Sequence, residues 1–134
     1  MAHNGIMVGL MSGTSADGVD ACIASLELRK SRCKPMLAYK IIRHETHAYP
    51  PALRKAILSA SSVEDVCRLN FTVGEAFART ANAVIKAARV KKADIGAISS
   101  HGQTLWHAPS AAPVGGLSSR STLQVGDIAV IASM

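Results

Sequence analysis

Two short apolar runs constrain the fold more than any other feature of this sequence. Residues 6–11 and 19–26 are almost entirely apolar, and the segment 12–18, SGTSADG, separates them. Apolar runs of this length, bounded by turn residues, are typical of strands buried on both faces. A short glycine-containing connection between two such strands predicts an antiparallel β-hairpin.

A third strand is predicted from alternation of apolar and polar residues. Within residues 36–43, Leu37, Tyr39 and Ile41 fall on one face and Lys40 falls on the other. A strand with one buried and one solvated face has this period of two. The sequence therefore predicts three antiparallel strands, the third of them half-buried.

Two helices are predicted next. The Pro50–Pro51 pair suits the first turn of a helix, which we place over residues 52–60. Ser62, with Asp65 three residues later, resembles a capping box, although aspartate replaces the preferred glutamate. Apolar residues then recur at three- and four-residue steps, which predicts one long amphipathic helix ending within residues 89–92.

The remaining residues return to β-structure. Residues 94–100 predict a buried strand after a crossover helix, hence one parallel to its neighbour. Residues 108–120 are rich in Ala, Pro, Gly and Ser and predict a loop, and residues 122–125 predict a short strand. Asp127 is placed to cap an apolar helix over residues 128–134.

Composition indicates a folded domain. The chain has 134 residues, 49% of them hydrophobic and 18% charged, which excludes an intrinsically disordered protein. Apolar stretches are too short to cross a membrane, and no basic run opens a secretory signal. We therefore expect an intracellular protein without a membrane partner.

The net charge of +6 arises in two cationic stretches, residues 29–43 and 86–92. A nucleic-acid-binding surface is one interpretation. The other is a solvated turn and a helix C-terminus, where cations suit the helix dipole. With two Phe, two Tyr and one Trp, the chain offers few rings to stack on bases, so we favour the second interpretation and expect no nucleic-acid partner.

Cysteine and histidine spacing does not predict a metal site. Cys22, Cys33 and Cys67 are odd in number and lack a CxxC spacing, so we expect reduced, buried thiols. His44 and His47 do not have the HExxH spacing of a zinc ligand pair, and we expect solvated histidines at a strand end.

The first segment that carries chemistry is the predicted hairpin turn. Gly13 and Gly18 permit a tight backbone whose N–H groups converge on an anion, and Thr14 and Ser15 add hydroxyl donors. Asp17 or Asp20 could hold water around a divalent cation. The alternative is an ordinary turn without a ligand, since the GK[ST] ending of a Walker A motif is missing.

The second segment, residues 101–107 (HGQTLWH), follows the predicted parallel strand. Ligands of open α/β sheets bind beyond the carboxyl ends of strands. His101, Gln103 and Thr104 could bond hydroxyl groups, and Trp106 could stack on a sugar face. Alternatively, His101 ends the strand and Trp106 packs on the loop.

Three segments together resemble one family. Residues 11–20 (MSGTSADGVD), 100–107 (SHGQTLWH) and 122–127 (TLQVGD) occur in the order found in the anhydro-N-acetylmuramic acid kinase family, and the helix over residues 69–85 is similar too. The resemblance implies an α/β fold, the actin-like ATPase (ribonuclease H-like) lobe, with ATP bound between two lobes. We thus expect residues 1–134 to be the N-terminal lobe of a two-lobe sugar kinase, truncated at its C-terminus.

The resemblance also implies an activity. The family converts 1,6-anhydro-N-acetylmuramic acid, ATP and water to N-acetylmuramic acid 6-phosphate and ADP, in the bacterial cytoplasm, as a homodimer, with Mg²⁺. The residues that match the family's ATP-binding loop are Gly13, Thr14, Ser15, Ala16, Asp17, Gly18, Val19 and Asp20. Those expected on the sugar side are Thr14, His101 and Gln103.

The family's aspartate base lies beyond TLQVGD, so we expect no catalytic base in residues 1–134 and no activity from this chain alone. Without the other lobe, residues 128–134 should leave an exposed apolar patch, so we also expect a poorly soluble chain. The alternative is a non-catalytic remnant that binds nucleotide or sugar.

Overall fold

The computed structural model describes residues 3–29 and 36–134, whose backbone forms one five-stranded sheet with helices. The strands are β1 (His3–Ser12), β2 (Gly18–Arg29), β3 (Met36–Ala48), β4 (Ile95–Val114) and β5 (Leu117–Val125). The helices are α1 (Pro51–Ser59), α2 (Val63–Ala87) and α3 (Ile128–Ser133), with a short 3₁₀ helix at Lys92–Asp94. Cys33 and the predicted cationic residues Lys30, Arg32 and Lys34 lie outside the described residues.

The strand order is β3-β2-β1-β4-β5. Strands β1, β2 and β3 are antiparallel, and β4 runs parallel to β1 after α2 has crossed over. Both features confirm the predicted α/β lobe of the actin-like ATPase type. Strand β5 pairs with β4 antiparallel, so the sheet is mixed.

Helix α2 begins at the predicted capping box. The Ser62 hydroxyl accepts a bond of 3.0 Å from the Asp65 N–H, and the Asp65 carboxylate accepts one of 3.0 Å from the Ser62 N–H. The backbone N–H of Ser61 also donates to this carboxylate, and these bonds lower the pKa of Asp65. The helix ends at Ala87, slightly before the predicted end, and Arg89 has a φ of +56° that departs from the helical path.

The core lies between α2 and the helix-facing side of the sheet. Val73 and Phe77 of α2 share one buried cluster with Val8 of β1 and with Val19 and Ile23 of β2. Each of these side chains is at most 1% exposed. Their burial follows the predicted three- and four-residue spacing in α2 and fixes the helix across β1 and β2.

The predicted loop over residues 108–120 is wrong, because most of it is a β-hairpin. Strand β4 continues to Val114, which pairs with Leu117 across Gly115 and Gly116. These two glycines have φ values of +56° and +83°. Positive φ at both central positions is typical of the type I′ two-residue hairpin turn, and glycine adopts it without a steric penalty.

Burial differs from the prediction in two further places. Leu37, Tyr39 and Ile41 of the edge strand β3 are 62%, 71% and 56% exposed, so the predicted buried face of this strand is wrong. Cys22 is half-buried and Cys67 is exposed on α2, so the expected burial of the thiols is wrong for Cys67.

Helix α3 begins at Asp127 as predicted, with the carboxylate accepting from the N–H groups of Ala129 and Val130. Ile128 is 55% exposed beside a groove of about 350 Å³ between α2, β4 and α3, whereas Ile131 is buried. The expected apolar exposure is therefore found at Ile128 and at Met134, which is 48% exposed, but not at Ile131, and the expected poor solubility stays a prediction. None of the helices in the described ranges has the length and apolar character to cross a membrane.

Candidate functional site: the β1–β2 turn

Residues 13–17 connect β1 to β2 in a tight turn. The Ala16 N–H donates to the Gly13 carbonyl at 3.2 Å, and Ala16 takes a φ of +50° with its side chain buried. Thr14 and Ser15 are exposed. Within residues 3–29 and 36–134, no acceptor bonds their backbone N–H groups, so the exposed residues at the tip of the turn carry two unbonded N–H groups and two hydroxyls.

A buried hydrogen-bond network holds the turn from below. The Ser12 hydroxyl lies 2.6 Å from the Gly18 carbonyl and 2.7 Å from Oε1 of Gln103. Nε2 of Gln103 donates to the carbonyls of Gly13 at 2.7 Å and of Thr104 at 2.9 Å. Gln103 therefore bonds the Gly13 end of the turn directly and the Gly18 end through Ser12, and both side chains are buried.

This arrangement bears on the predicted sugar contacts. Each polar atom of the Gln103 side chain is already bonded to the protein, so in this structure Gln103 orders the turn. Thr14 is exposed at the turn, and its contact with a sugar stays a prediction. His101 is exposed in the irregular part of β4 opposite the end of β1, where its side chain is accessible to a ligand.

Arg54 of α1 and Tyr49, which precedes α1, bond the other side of the turn. Nη2 of Arg54 donates to the Ser15 carbonyl and to the Asp17 carboxylate, both at 3.3 Å. The Tyr49 N–H donates to the Asp17 carbonyl at 3.1 Å. Arg54 and Tyr49 were not among the residues predicted for the site. The Pro50–Pro51 pair, which starts α1 directly after β3, is the sequence signal that could have indicated them.

Two glycines lie so close to a neighbouring strand that a side chain would not fit. A Cβ on Gly18 would lie 2.3 Å from the His47 carbonyl oxygen, and one on Gly102 would lie 2.6 Å from that of Val125. Gly102 also has a φ of +76°. Side chains at these positions would separate β2 from β3 and β4 from β5 beside the turn.

The last residues of the predicted ATP segment lie in β2. The Val19 side chain is buried in the core, and the Asp20 carboxylate accepts a hydrogen bond from Thr46 of β3. Asp17, whose side chain is 70% exposed, is thus the carboxylate at the turn itself. Over the ranges that the structure covers, no three His, Cys, Asp or Glu residues group closely enough to hold a metal ion.

Trp106 lies farther along β4, opposite Leu123 of β5. It is 61% exposed and lines an apolar groove of about 490 Å³ with Leu105 and with Val63 and Val66 of α2. Its predicted stacking on a sugar stays a prediction. Thr104, by contrast, is buried.

The third motif docks on α2. The Gly126 N–H donates to Oδ1 of Asn70 at 3.0 Å, and the Asp127 N–H donates to the Asn70 carbonyl at 2.9 Å. Nδ2 of Asn70 also donates to the Asp127 carboxylate at 3.2 Å. Asp127 therefore caps α3 and joins it to α2, and Asn70 is a residue that sequence reasoning missed.

Comparison with known proteins decides the family. The model of the family described as anhydro-N-acetylmuramic acid kinase matches residues 5–134. The chain belongs to the anhydro-N-acetylmuramic acid kinase family. This match covers the turn, its Gln103 support and the Asp127 cap, so all three motifs fall inside the family region.

Curated relatives named anhydro-N-acetylmuramic acid kinase agree with the family match. The relative from Caldanaerobacter subterraneus subsp. tengcongensis is 39% identical over 132 residues, which cover 95% of this chain and 32% of the relative. The relative from Xanthomonas campestris pv. campestris is 36% identical over 137 residues, which cover 97% of this chain and 33% of the relative. The relative from Salinibacter ruber is 36% identical over 132 residues, which cover 95% of this chain and 32% of the relative. The chain thus spans about a third of the length of these relatives.

Proposed function

We propose that this chain provides the phosphate-binding turn of an ATP-dependent sugar kinase. The enzyme phosphorylates 1,6-anhydro-N-acetylmuramic acid and opens its anhydro ring with water, giving N-acetylmuramic acid 6-phosphate and ADP. The observation that carries the proposal is the turn over residues 13–17. Its exposed N–H groups and hydroxyls are held in place by buried Ser12 and Gln103.

The chemistry of the turn suits a polyphosphate. Phosphoryl transfer depends mainly on positioning and on donors that stabilise charge on the phosphoryl oxygens. The Thr14 and Ser15 N–H groups are such donors, and the rigid support beneath them limits the reorganisation needed on binding. Arg54, held at the turn by Ser15 and Asp17, adds positive charge nearby.

The same turn fits a hydrated Mg²⁺ ion. Mg²⁺ keeps several of its waters and binds through one or two carboxylates together with the substrate phosphates. Asp17 offers such a carboxylate beside Thr14 and Ser15: Oδ1 contacts Arg54, and the side chain is still 70% exposed. When bound, the ion would neutralise charge on the phosphates. Asp20, bonded to Thr46, belongs to the sheet surface and is a weaker candidate.

The sugar-side assignment rests on Thr14 and His101, which are exposed near the turn, with Gln103 acting beneath them. We assign no general base within residues 1–134 and propose that the groups activating water belong to the remainder of a family-length enzyme. Because such an enzyme consumes ATP, we expect it to act in the bacterial cytoplasm. The resemblance to the family further leads us to propose a homodimer that acts in the recycling of cell-wall amino sugars.

The test uses the complete gene product that contains residues 1–134, beside the 134-residue chain alone. ADP release is measured by a coupled assay with and without 1,6-anhydro-N-acetylmuramic acid. We expect release that depends on this sugar from the complete product and none from the chain alone, which still binds MgATP in calorimetry. Absence of sugar-dependent release, with MgATP binding retained, would instead support a non-catalytic nucleotide-binding protein.

A further inference from the structure

Tyr49 has a buried hydroxyl that the proposed function does not use. The residue is 6% exposed, and its hydroxyl has no hydrogen-bond partner among the residues that the structure describes. A buried polar group without a partner is costly, and natural structures contain few of them. Tyr49 therefore needs a specific explanation.

The position of Tyr49 links it to the turn. It directly follows β3, whose last residue Ala48 pairs with Gly18, and its N–H donates to the Asp17 carbonyl. The Gly18 carbonyl is in turn 2.6 Å from the Ser12 hydroxyl. Tyr49 thus lies against the same end of the turn that Ser12 supports.

The Ser12 hydroxyl lies within hydrogen-bond distance of two acceptors. They are the Gly18 carbonyl and Oε1 of Gln103, but the hydroxyl has one hydrogen to donate. The orientation of the Gln103 amide is fixed by the two carbonyls that its Nε2 contacts. The Ser12 oxygen can accept a further hydrogen bond, and the Tyr49 hydroxyl is a neighbouring donor.

Tyr49 stays protonated at neutral pH. Burial raises the pKa of its hydroxyl to about 12, and the nearby Ser12 hydroxyl opposes only part of that shift. The Tyr49 hydroxyl is thus near Ser12 but has no hydrogen-bond partner within the described residues.

We propose that Tyr49 is a positioning residue for the phosphate-binding turn, its hydroxyl donating to Ser12 when the turn holds the phosphates of MgATP. The chain of bonds then runs from Tyr49 through Ser12 to Gly18 and Gln103. This inference rests on the proposed function and adds to it a residue that touches neither ATP nor sugar.

The test compares Tyr49→Phe with wild type in the complete gene product. Loss of one hydrogen bond predicts MgATP affinity weakened by about 3- to 10-fold, and KM for ATP raised with KM for the sugar unchanged. Tyr39→Phe is the matched control, because Tyr39 is 71% exposed on the edge strand. An unchanged MgATP affinity in Tyr49→Phe would overturn the proposal.

A double-mutant cycle tests the route through Ser12. If Tyr49 acts through Ser12, Tyr49→Phe combined with Ser12→Ala weakens MgATP binding no more than Ser12→Ala alone. Multiplication of the two fold-changes would contradict that route.

Hydrogen exchange of the turn amides separates this proposal from the proposed function. With MgATP bound, we expect residues 14–18 to exchange several-fold faster in Tyr49→Phe than in wild type, with the core of α2 unchanged. Without nucleotide, where the Tyr49 hydroxyl has no partner within the described residues, we expect the two proteins to exchange at the same rate. Failure of wild type to bind MgATP would overturn the proposed function, whereas binding by wild type with equal exchange of the two MgATP complexes would overturn only the role of Tyr49.

Discussion

The Ser12 hydroxyl lies 2.7 Å from the side-chain oxygen of Gln103, although 91 residues separate the two along the chain. They are also paired across the parallel strands β1 and β4. The SGTSADG and HGQT segments are therefore one structural unit. The first forms the turn, and the second provides the buried amide that bonds Gly13 directly and reaches Gly18 through Ser12.

Removal of this amide tests its structural importance. Gln103→Ala would leave the Gly13 and Thr104 carbonyls without the amide that donates to them, whereas the Ser12 hydroxyl keeps the Gly18 carbonyl, so we expect a loss of about 2–3 kcal/mol in the free energy of unfolding. Urea denaturation measures it. The control is Gln124→Ala, whose side chain bonds only Thr122 at the surface and which we expect to change stability by about 0.5 kcal/mol or less. Equal effects would contradict the network.

Gly102 is predicted to be irreplaceable beside that network. Alanine at this position combines a φ of +76° with a Cβ 2.6 Å from the Val125 carbonyl oxygen, so we expect Gly102→Ala to destabilise the protein by about 2 kcal/mol or more. Gly9→Ala is the control, because no atom lies within 4 Å of its added Cβ. Thermal denaturation should show a lower Tm only for the first variant. A Tm for Gly102→Ala equal to that of wild type would mean that β4 and β5 tolerate separation there.

Stability at low pH should depend on Asp65. Hydrogen bonds from the N–H groups of Ser61 and Ser62 lower its pKa in the folded state, so its contribution is present above the ordinary carboxyl pKa. That contribution is lost as the pH falls through the lowered value. We expect Asp65→Asn to lower the urea midpoint at pH 7 and the difference from wild type to shrink as the pH falls below the ordinary carboxyl pKa. A difference that does not vary with pH would exclude the ionised cap.

At high pH, stability should depend on Tyr49, whose pKa is raised on folding, whereas that of Asp65 is lowered. The folded-state pKa of Tyr49, about 12, exceeds the ordinary value of 10.0, so the unfolded chain ionises first. The part of the stability that depends on this ionisation is unchanged below pH 10 and is lost as the pH rises toward 12. The stability of wild type relative to Tyr49→Phe should therefore fall over this range in urea titrations. A constant difference would indicate that Tyr49 is solvated when folded.

Local signals predicted much of this fold. Ser62 and Asp65 form their capping box because both partners lie within one helical turn. The β4–β5 hairpin was missed because the Ala, Pro and Ser content of residues 108–120 obscured the Gly115–Gly116 turn. In that hairpin, pairing between strands determines the conformation, whatever the local propensity.

The candidate site was predictable only in part. Its turn is visible in the sequence because Gly, Ser, Thr and Asp cluster between two apolar runs. The supporting roles of Arg54 and Tyr49 depend on where α1 starts and on how β3 pairs with β2. Such contacts arise from tertiary packing, which a single sequence does not specify. The same reason explains why Gln103, predicted as a ligand contact, is found buried beneath the turn.

The most direct test of the central claim removes one N–H group from the turn. Thr14→Pro deletes the N–H at a turn position that proline tolerates, whereas Thr14→Val deletes only the hydroxyl. With sugar-dependent ADP release measured on the complete gene product, we expect Thr14→Pro to lower kcat/KM for ATP by about 10-fold or more beyond Thr14→Val. Equal kcat/KM in wild type, Thr14→Val and Thr14→Pro would show that the ATP phosphates do not bind at this turn.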